Sequence, residues 1–368
     1  MSKLFSPFQV GALSLSNRIV VPPMCQYSAI DGVVQPWHTA HYGQLALGGA
    51  SLVVVEATGV EPIGRISPFC LGLYTDVQEG AFAQMIESIR SFTDTPLGIQ
   101  IAHAGRKASA RPNFDRRRGP VPVEDGGWRG AAPSAIAFAE DWAVPDALDE
   151  AGLERVKDAF VQSAVRACRA GFDYIELHFA HGYLLSSFLS PLSNTRDDLY
   201  GGSLENRMRF PLEIVAAVRA AIPAGKALAV RMNGADWHAD AFEVSDAVTV
   251  SAAMRDAGAD CMVMSGGLVT PEANIPQETP GYMVEFADAV RNGADVSTMA
   301  VGMILFAQQA EEILEKGQAD LIGIARGFLD DPRWACHAAY VLGAEPRFAK
   351  QYSRAQPARW RGYQAVHG

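Results

Sequence analysis

The sequence predicts an α/β protein built as a (β/α)8 barrel, and three observations carry that expectation. Eight short β-favouring runs recur along the 368 residues, separated by helical patterns of roughly 20 to 40 residues. Most of the runs are continuously apolar, as suits strands buried on both faces of a parallel sheet. Helical stretches between them end on glycine, the residue that best closes a helix in a left-handed turn. A doubly wound sheet is the alternative, weakened because no GxGxxG follows the first run.

In order, the runs are 18–21, 51–55, 97–101, 173–177, 227–231, 260–264, 298–301 and 321–324. They end near Pro22, Val55, His103, Leu177, Met232, Ser265, Val301 and Ala325. Between the third and fourth runs, residues 151–170 place Leu153, Val156, Phe160, Ala164 and Cys168 close to helical spacing before Gly171. Residues 307–316 end at Gly317 in the same way, ahead of the eighth run. The longest interruption, 104–150, is rich in Arg, Pro and Gly and holds Trp128 and Trp142. A stretch of that length after a barrel strand reads as an insertion capping the mouth, with a disordered loop as the alternative. Residues 1–342 therefore read as the barrel and 343–368 as a C-terminal arm, with a frayed surface tail as the arm's alternative.

Composition narrows the function classes. A hydrophobic content of 49% is ample for a core, and one barrel with insertions accounts for the length as well as two domains do. The formal charge of −10 argues against a nucleic-acid partner, which needs a basic face. One basic run stands out, Arg111 with Arg116, Arg117 and Arg118; it reads as a solvated loop edge, with a role near a cofactor's phosphates as the alternative. The N-terminus lacks the pattern of a signal peptide and no apolar run reaches membrane-spanning length. Five scattered cysteines, with no CxxC pair, point to a reducing cytoplasm and to neither a disulfide framework nor an iron–sulfur or zinc site.

Chemistry concentrates after the fourth run. His178 stands at its C-terminal end, with His181 and Tyr183 in the turn beyond. Two imidazoles three residues apart can converge on one oxygen and polarise a carbonyl, and a neighbouring phenol can donate a proton. Ordinary hydrogen-bonded turn histidines are the competing reading. Metal ligation is a second competitor, weakened because no carboxylate or cysteine lies in the turn.

This stretch, Glu176-Leu177-His178-Phe179-Ala180-His181-Gly182-Tyr183-Leu184 followed by Tyr200-Gly201-Gly202-Ser203-Leu204-Glu205-Asn206-Arg207, resembles the signature of the Old Yellow Enzyme family of FMN-dependent ene-reductases. Segments 17–27, 56–58, 100–107 and 322–326 resemble further family segments in the same order, and Cys25 with Tyr27 places the likeness nearest the thermophilic-like branch that includes the xenobiotic reductases. The resemblance implies bound FMN, NADPH or NADH as hydride donor, and ping-pong reduction of activated alkenes. It implies Tyr183 as proton donor, His178 and His181 as the pair that grips the substrate oxygen, and Tyr27 and Cys25 facing the substrate. Pro23, Met24, Cys25 and Ala57 would line the flavin ring, Gln100 would bond its pyrimidine edge, and Arg231 would supply charge at N1 and O2. Gly302, Met303, Ala325 and Arg326 would hold the phosphate, where barrels often bind one.

The tail resembles an arm that enters a neighbouring subunit's active site in a homodimer or homotetramer, with Arg354 or Trp360 as the contact. Phe179 departs from the glycine common at its place and is expected to narrow the pocket, while Met303 stands where some xenobiotic reductases carry Trp. An amine dehydrogenase or dienoyl-CoA reductase, whose first domain resembles this barrel, is disfavoured for want of length and of a cysteine cluster. A barrel that keeps the flavin as a sensor without turnover is the alternative from another class.

Overall fold

The computed structural model describes residues 2–367. Eight parallel strands close into a barrel: β1 (Ile19–Val21), β2 (Leu52–Gly59), β3 (Leu97–Ala102), β4 (Tyr174–Phe179), β5 (Ala227–Asn233), β6 (Cys261–Ser265), β7 (Ser297–Ala300) and β8 (Leu321–Gly323). Each pairs with its neighbours in chain order, and Ile322 against Ile19 closes the ring. Among the described residues, eight α-helices of eight residues or more flank it: α1 (Pro36–Ala46), α2 (Asp76–Arg90), α3 (Glu150–Ala170), α4 (Leu204–Ala221), α5 (Val244–Asp256), α6 (Val284–Ala294), α7 (Ala307–Glu315) and α8 (Trp334–Val341). The fold is the expected (β/α)8 barrel. Among the described residues no helix is long and apolar enough to cross a membrane.

Local chemistry explains the element ends. Helix α3 starts where the Asp149 carboxylate accepts the Gly152 N–H at 2.8 Å and stops at Gly171, whose φ of 109° a side chain would resist. Strands β2 and β4 run beyond their apolar cores. In β2 the register shifts between Val55 and Thr58, after which Thr58 and Gly59 pair again with Ile101 and Ala102. In β4 the pairing continues through His178 against Arg231 and Phe179 against Met232. That extra register is what brings His178 and Arg231 side by side at the C-terminal end.

The insertion after β3 is ordered by polar anchors. Buried Arg106 donates to the Val269 carbonyl at 2.6 Å, Lys107 to the carbonyls of His181 and Leu268 at 2.7 and 2.9 Å, and the Trp128 indole to the Ile63 carbonyl at 2.9 Å. It is thereby pinned to the loops that follow β2, β4 and β6.

The expectation for Phe179 is overturned. Side chains alternate along a strand, and with His178 facing the mouth, Phe179 turns outward: it is fully buried, edge-on to Phe160 of α3 with ring centroids 6.4 Å apart. Its large side chain fills the layer between barrel and helix and narrows no pocket. Phe179→Ala should therefore cost about 3–5 kcal/mol of stability and leave unchanged the KM for whatever substrate the barrel mouth takes. A changed KM with unchanged thermal denaturation would return Phe179 to the pocket.

Candidate active site at the barrel mouth

Three side chains from β4 and its turn meet above the barrel. Ring centroids of His178 lie 5.0 Å from those of both His181 and Tyr183, nearly perpendicular in each case. Both imidazoles are held neutral: burial first, then the nearby Arg231 guanidinium, pushes each well below the usual histidine range. His178 Nδ1 accepts the Ala180 N–H at 3.3 Å, which leaves Nε2–H as the donor. His181 Nε2 lies 2.6 Å from Ser265 Oγ at the end of β6. Burial keeps the Tyr183 phenol protonated by raising it well above its ordinary value.

The turn is strained and braced. His181 adopts φ 62°, a conformation costing a non-glycine residue about 1–3 kcal/mol. Asn233 Oδ1 accepts its N–H at 3.0 Å and Lys107 Nζ donates to its carbonyl at 2.7 Å. The next residue must be glycine, since Gly182 has φ 70° and a Cβ there would meet the Leu268 carbonyl oxygen at 2.4 Å. Tyr27 and Met303 are likewise left-handed, at φ 51° and 54°. Strain of this kind gathers where function fixes the backbone.

On one side of the histidines, Cys25, Tyr27 and Tyr183 pack with Ala57, Cys70, Ala102 and Trp128. The Cys25 thiol is pushed up by its hydrogen bond with Cys70 and then by burial, so it stays a neutral thiol. On the other side opens a cavity of about 480 Å³ whose lining includes His181, Arg231, Gly302, Met303, Ala325 and Arg326. Pro22 lines it too, while Pro23 and Met24 are half-buried in the loop beyond. Gln100 is buried below, its amide nitrogen 2.7 Å from Glu176 Oε1. Its carbonyl oxygen is left as the end available to a ligand. Arg354 and Trp360 do not join this group within one chain. Both are exposed, in a tail whose Tyr352 ring lies under Arg333.

Ser265, Lys107, Glu176 and Asn233 escaped the sequence reading. Ser265 had a signal, a polar residue closing an apolar strand at the catalytic end. The others act across strands, where spacing in one segment says nothing. Glu176 is fully buried, accepts from Gln100 and from Tyr174 Oη at 3.2 Å, and shares the barrel interior with Arg231.

The arrangement suits a flat, anionic cofactor. Arg231 borders the cavity with its buried Nε lacking any partner among the described residues. Gly302, at φ 102°, lets the chain turn where a Cβ would come within 2.8 Å of Met283 Cε. Residues 3–345 match the model of the NADH:flavin oxidoreductase / NADH oxidase family. The NADPH dehydrogenase of Geobacillus thermodenitrificans is 42% identical over 353 residues, 95% of this chain and 98% of that protein. That of Bacillus subtilis is 41% identical over 355 residues, 96% and 98% of the two chains. Morphinone reductase, a solved structure, superposes with a TM-score of 0.75 at 27% identity, covering 94% of this chain and 91% of that one. A 2-naphthoyl-CoA reductase shares the fold at a TM-score of 0.82 and 21% identity; this chain spans 52% of that one's length. The chain belongs to the NADH:flavin oxidoreductase / NADH oxidase family, the Old Yellow Enzyme family its sequence resembles, and is an FMN-dependent oxidoreductase that draws on a nicotinamide donor.

Proposed function

We propose that the chain is an ene-reductase: it reduces the activated C=C bond of α,β-unsaturated carbonyl and nitro compounds in a ping-pong cycle, bound FMN supplying the hydride chemistry that joins the nicotinamide and alkene half-reactions. The observation that carries this reading is the neutral His178–His181 pair with a protonated Tyr183 at 5.0 Å from His178, beside a cavity bordered by an arginine. His178, through Nε2–H, and His181 bind the substrate oxygen and draw electrons from the β-carbon. Tyr183 protonates the α-carbon. Tyr27 and Cys25 bound the substrate, the thiol as a neutral contact and not a nucleophile. Arg231, Gln100, Pro23, Met24, Cys25 and Ala57 hold the flavin ring, and Gly302, Met303, Ala325 and Arg326 its phosphate.

Residues 104–150 cap the mouth, a role supported by their anchors to three of its loops. The exposure of Arg354 and Trp360 supports an arm, 343–368, that reaches a neighbouring subunit in a cytoplasmic homodimer or homotetramer. The test is spectroscopic. The purified protein should be yellow, bleach anaerobically with NADPH or NADH, and regain its colour on adding cyclohexenone, a maleimide or a nitroalkene. Bleaching without recovery on any of them points instead to a flavin-holding sensor or scaffold.

A further inference from the structure

The arginine run of the insertion lies at the mouth. Residues 110–120 form a hairpin-like loop, closed by an antiparallel bridge between Ala110 and Pro120 and by the Arg111 N–H on the Gly119 carbonyl at 2.9 Å. Near its tip Phe114 is 72% exposed, a costly placement for a large apolar ring. Its contact is edge-on to Tyr27, with centroids 5.9 Å apart, which puts the loop directly beside the substrate face. Arg117 is paired with Asp115, and Arg111 faces Asp115 and Asp125. Arg116 and Arg118 are exposed and have no carboxylate within 4 Å among the described residues; Asp141 lies beside Gly119. Of the other cations near the mouth, Lys107 donates to two carbonyls and Arg106 to that of Val269, while Arg231 and Arg326 line the cavity.

We propose that this loop is the adenosine 2′-phosphate site for NADPH: Phe114 stacks on the adenine, Arg116 and Arg118 bind the 2′-phosphate, and the chain prefers NADPH to NADH. An aromatic face accepts a purine, and a guanidinium fork matches a phosphate, with charge-assisted hydrogen bonds among the strongest a side chain makes. In a chain of net charge −10, two uncommitted arginines beside an exposed ring concentrate the attraction at one place. The inference rests on the reading that a nicotinamide docks at this mouth.

Calorimetric titration of the yellow holoenzyme with adenosine 2′,5′-bisphosphate and with adenosine 5′-monophosphate tests the loop without turnover. The bisphosphate should bind about ten-fold or more tightly, from one to two charged hydrogen bonds. Arg116→Gln/Arg118→Gln should erase that difference, whereas Phe114→Ala should weaken both ligands alike. In anaerobic bleaching, the double variant should raise the NADPH concentration at half-saturation, relative to that for NADH, by about ten-fold or more. No preference for the bisphosphate in the wild type, or a ratio unmoved in the double variant, overturns the proposal. If neither nicotinamide bleaches the wild type, the ene-reductase reading falls, and the calorimetry still decides the loop.

Discussion

Replacing Tyr183 by phenylalanine should slow the alkene half-reaction by about 100- to 10,000-fold, the range a positioned general acid supplies, while the nicotinamide half-reaction stays near its wild-type rate. The asymmetry follows from the chemistry. Hydride leaving a nicotinamide needs no proton at carbon, whereas an alkene that has accepted hydride at its β-carbon needs one at the α-carbon. Burial keeps the phenol protonated beyond the working pH range. Its own titration therefore leaves no inflection.

A second group nearby does titrate. Lys107 Nζ lies 5.2 Å from the Tyr183 ring centroid, and burial, then Arg106, brings its ammonium down to about 7. Below that pH its positive charge makes the phenol the stronger acid; above it the charge is lost, so the alkene half-reaction should slow as pH rises through about 7. Lys107→Met should flatten the profile. Stopped-flow spectra of the two half-reactions, taken separately from pH 6 to 9, read both effects. Equal loss in both half-reactions for Tyr183→Phe would remove Tyr183 from the role of proton donor.

The barrel was legible because burial on both faces leaves continuous apolar runs, which name the strands even where they misplace their ends. The end was missed in β2, where Thr58 and Gly59 pair again after the register shift; in β4 His178 was expected at the strand end and the pairing runs one residue further, to Phe179. The small hairpin Phe8–Val10 with Leu13–Leu15 went unread, being three residues a side around Gly11. The site was legible as residue types in order along the chain. Its bracing was not: Lys107 reaches the carbonyl of His181 from 74 positions away, and Asn233 its N–H from 52. Phe179 shows the converse error, since the side chain next to His178 in a strand faces the other way.

The electrostatic attraction between Arg231 and Glu176, which share the barrel interior without touching, yields the other large effect. Arg231→Met should give protein that is colourless as purified, with FMN bound about 10- to 100-fold more weakly for loss of one charge-assisted contact, and less stable because a buried carboxylate loses the positive charge that offsets its burial. Burial already raises Glu176 above the ordinary carboxylate range, and the first opposing influence is Arg231. Without that arginine the folded state holds the Glu176 proton more tightly still, while the unfolded state does not change. Folding is then favoured most where both states are protonated, and stability falls as pH rises from the ordinary carboxylate range upward. The deficit of Arg231→Met relative to wild type should accordingly shrink at pH 5 and widen at pH 8 in urea denaturation of both apoproteins. Glu176→Gln/Arg231→Met removes the stranded charge and should recover most of the stability without recovering the colour. That outcome would separate the two duties proposed for Arg231, offsetting the buried charge of Glu176 and placing positive charge at the flavin. A double variant no more stable than the single one would remove the role toward Glu176, and an Arg231→Met protein that purifies yellow would remove the role toward the flavin.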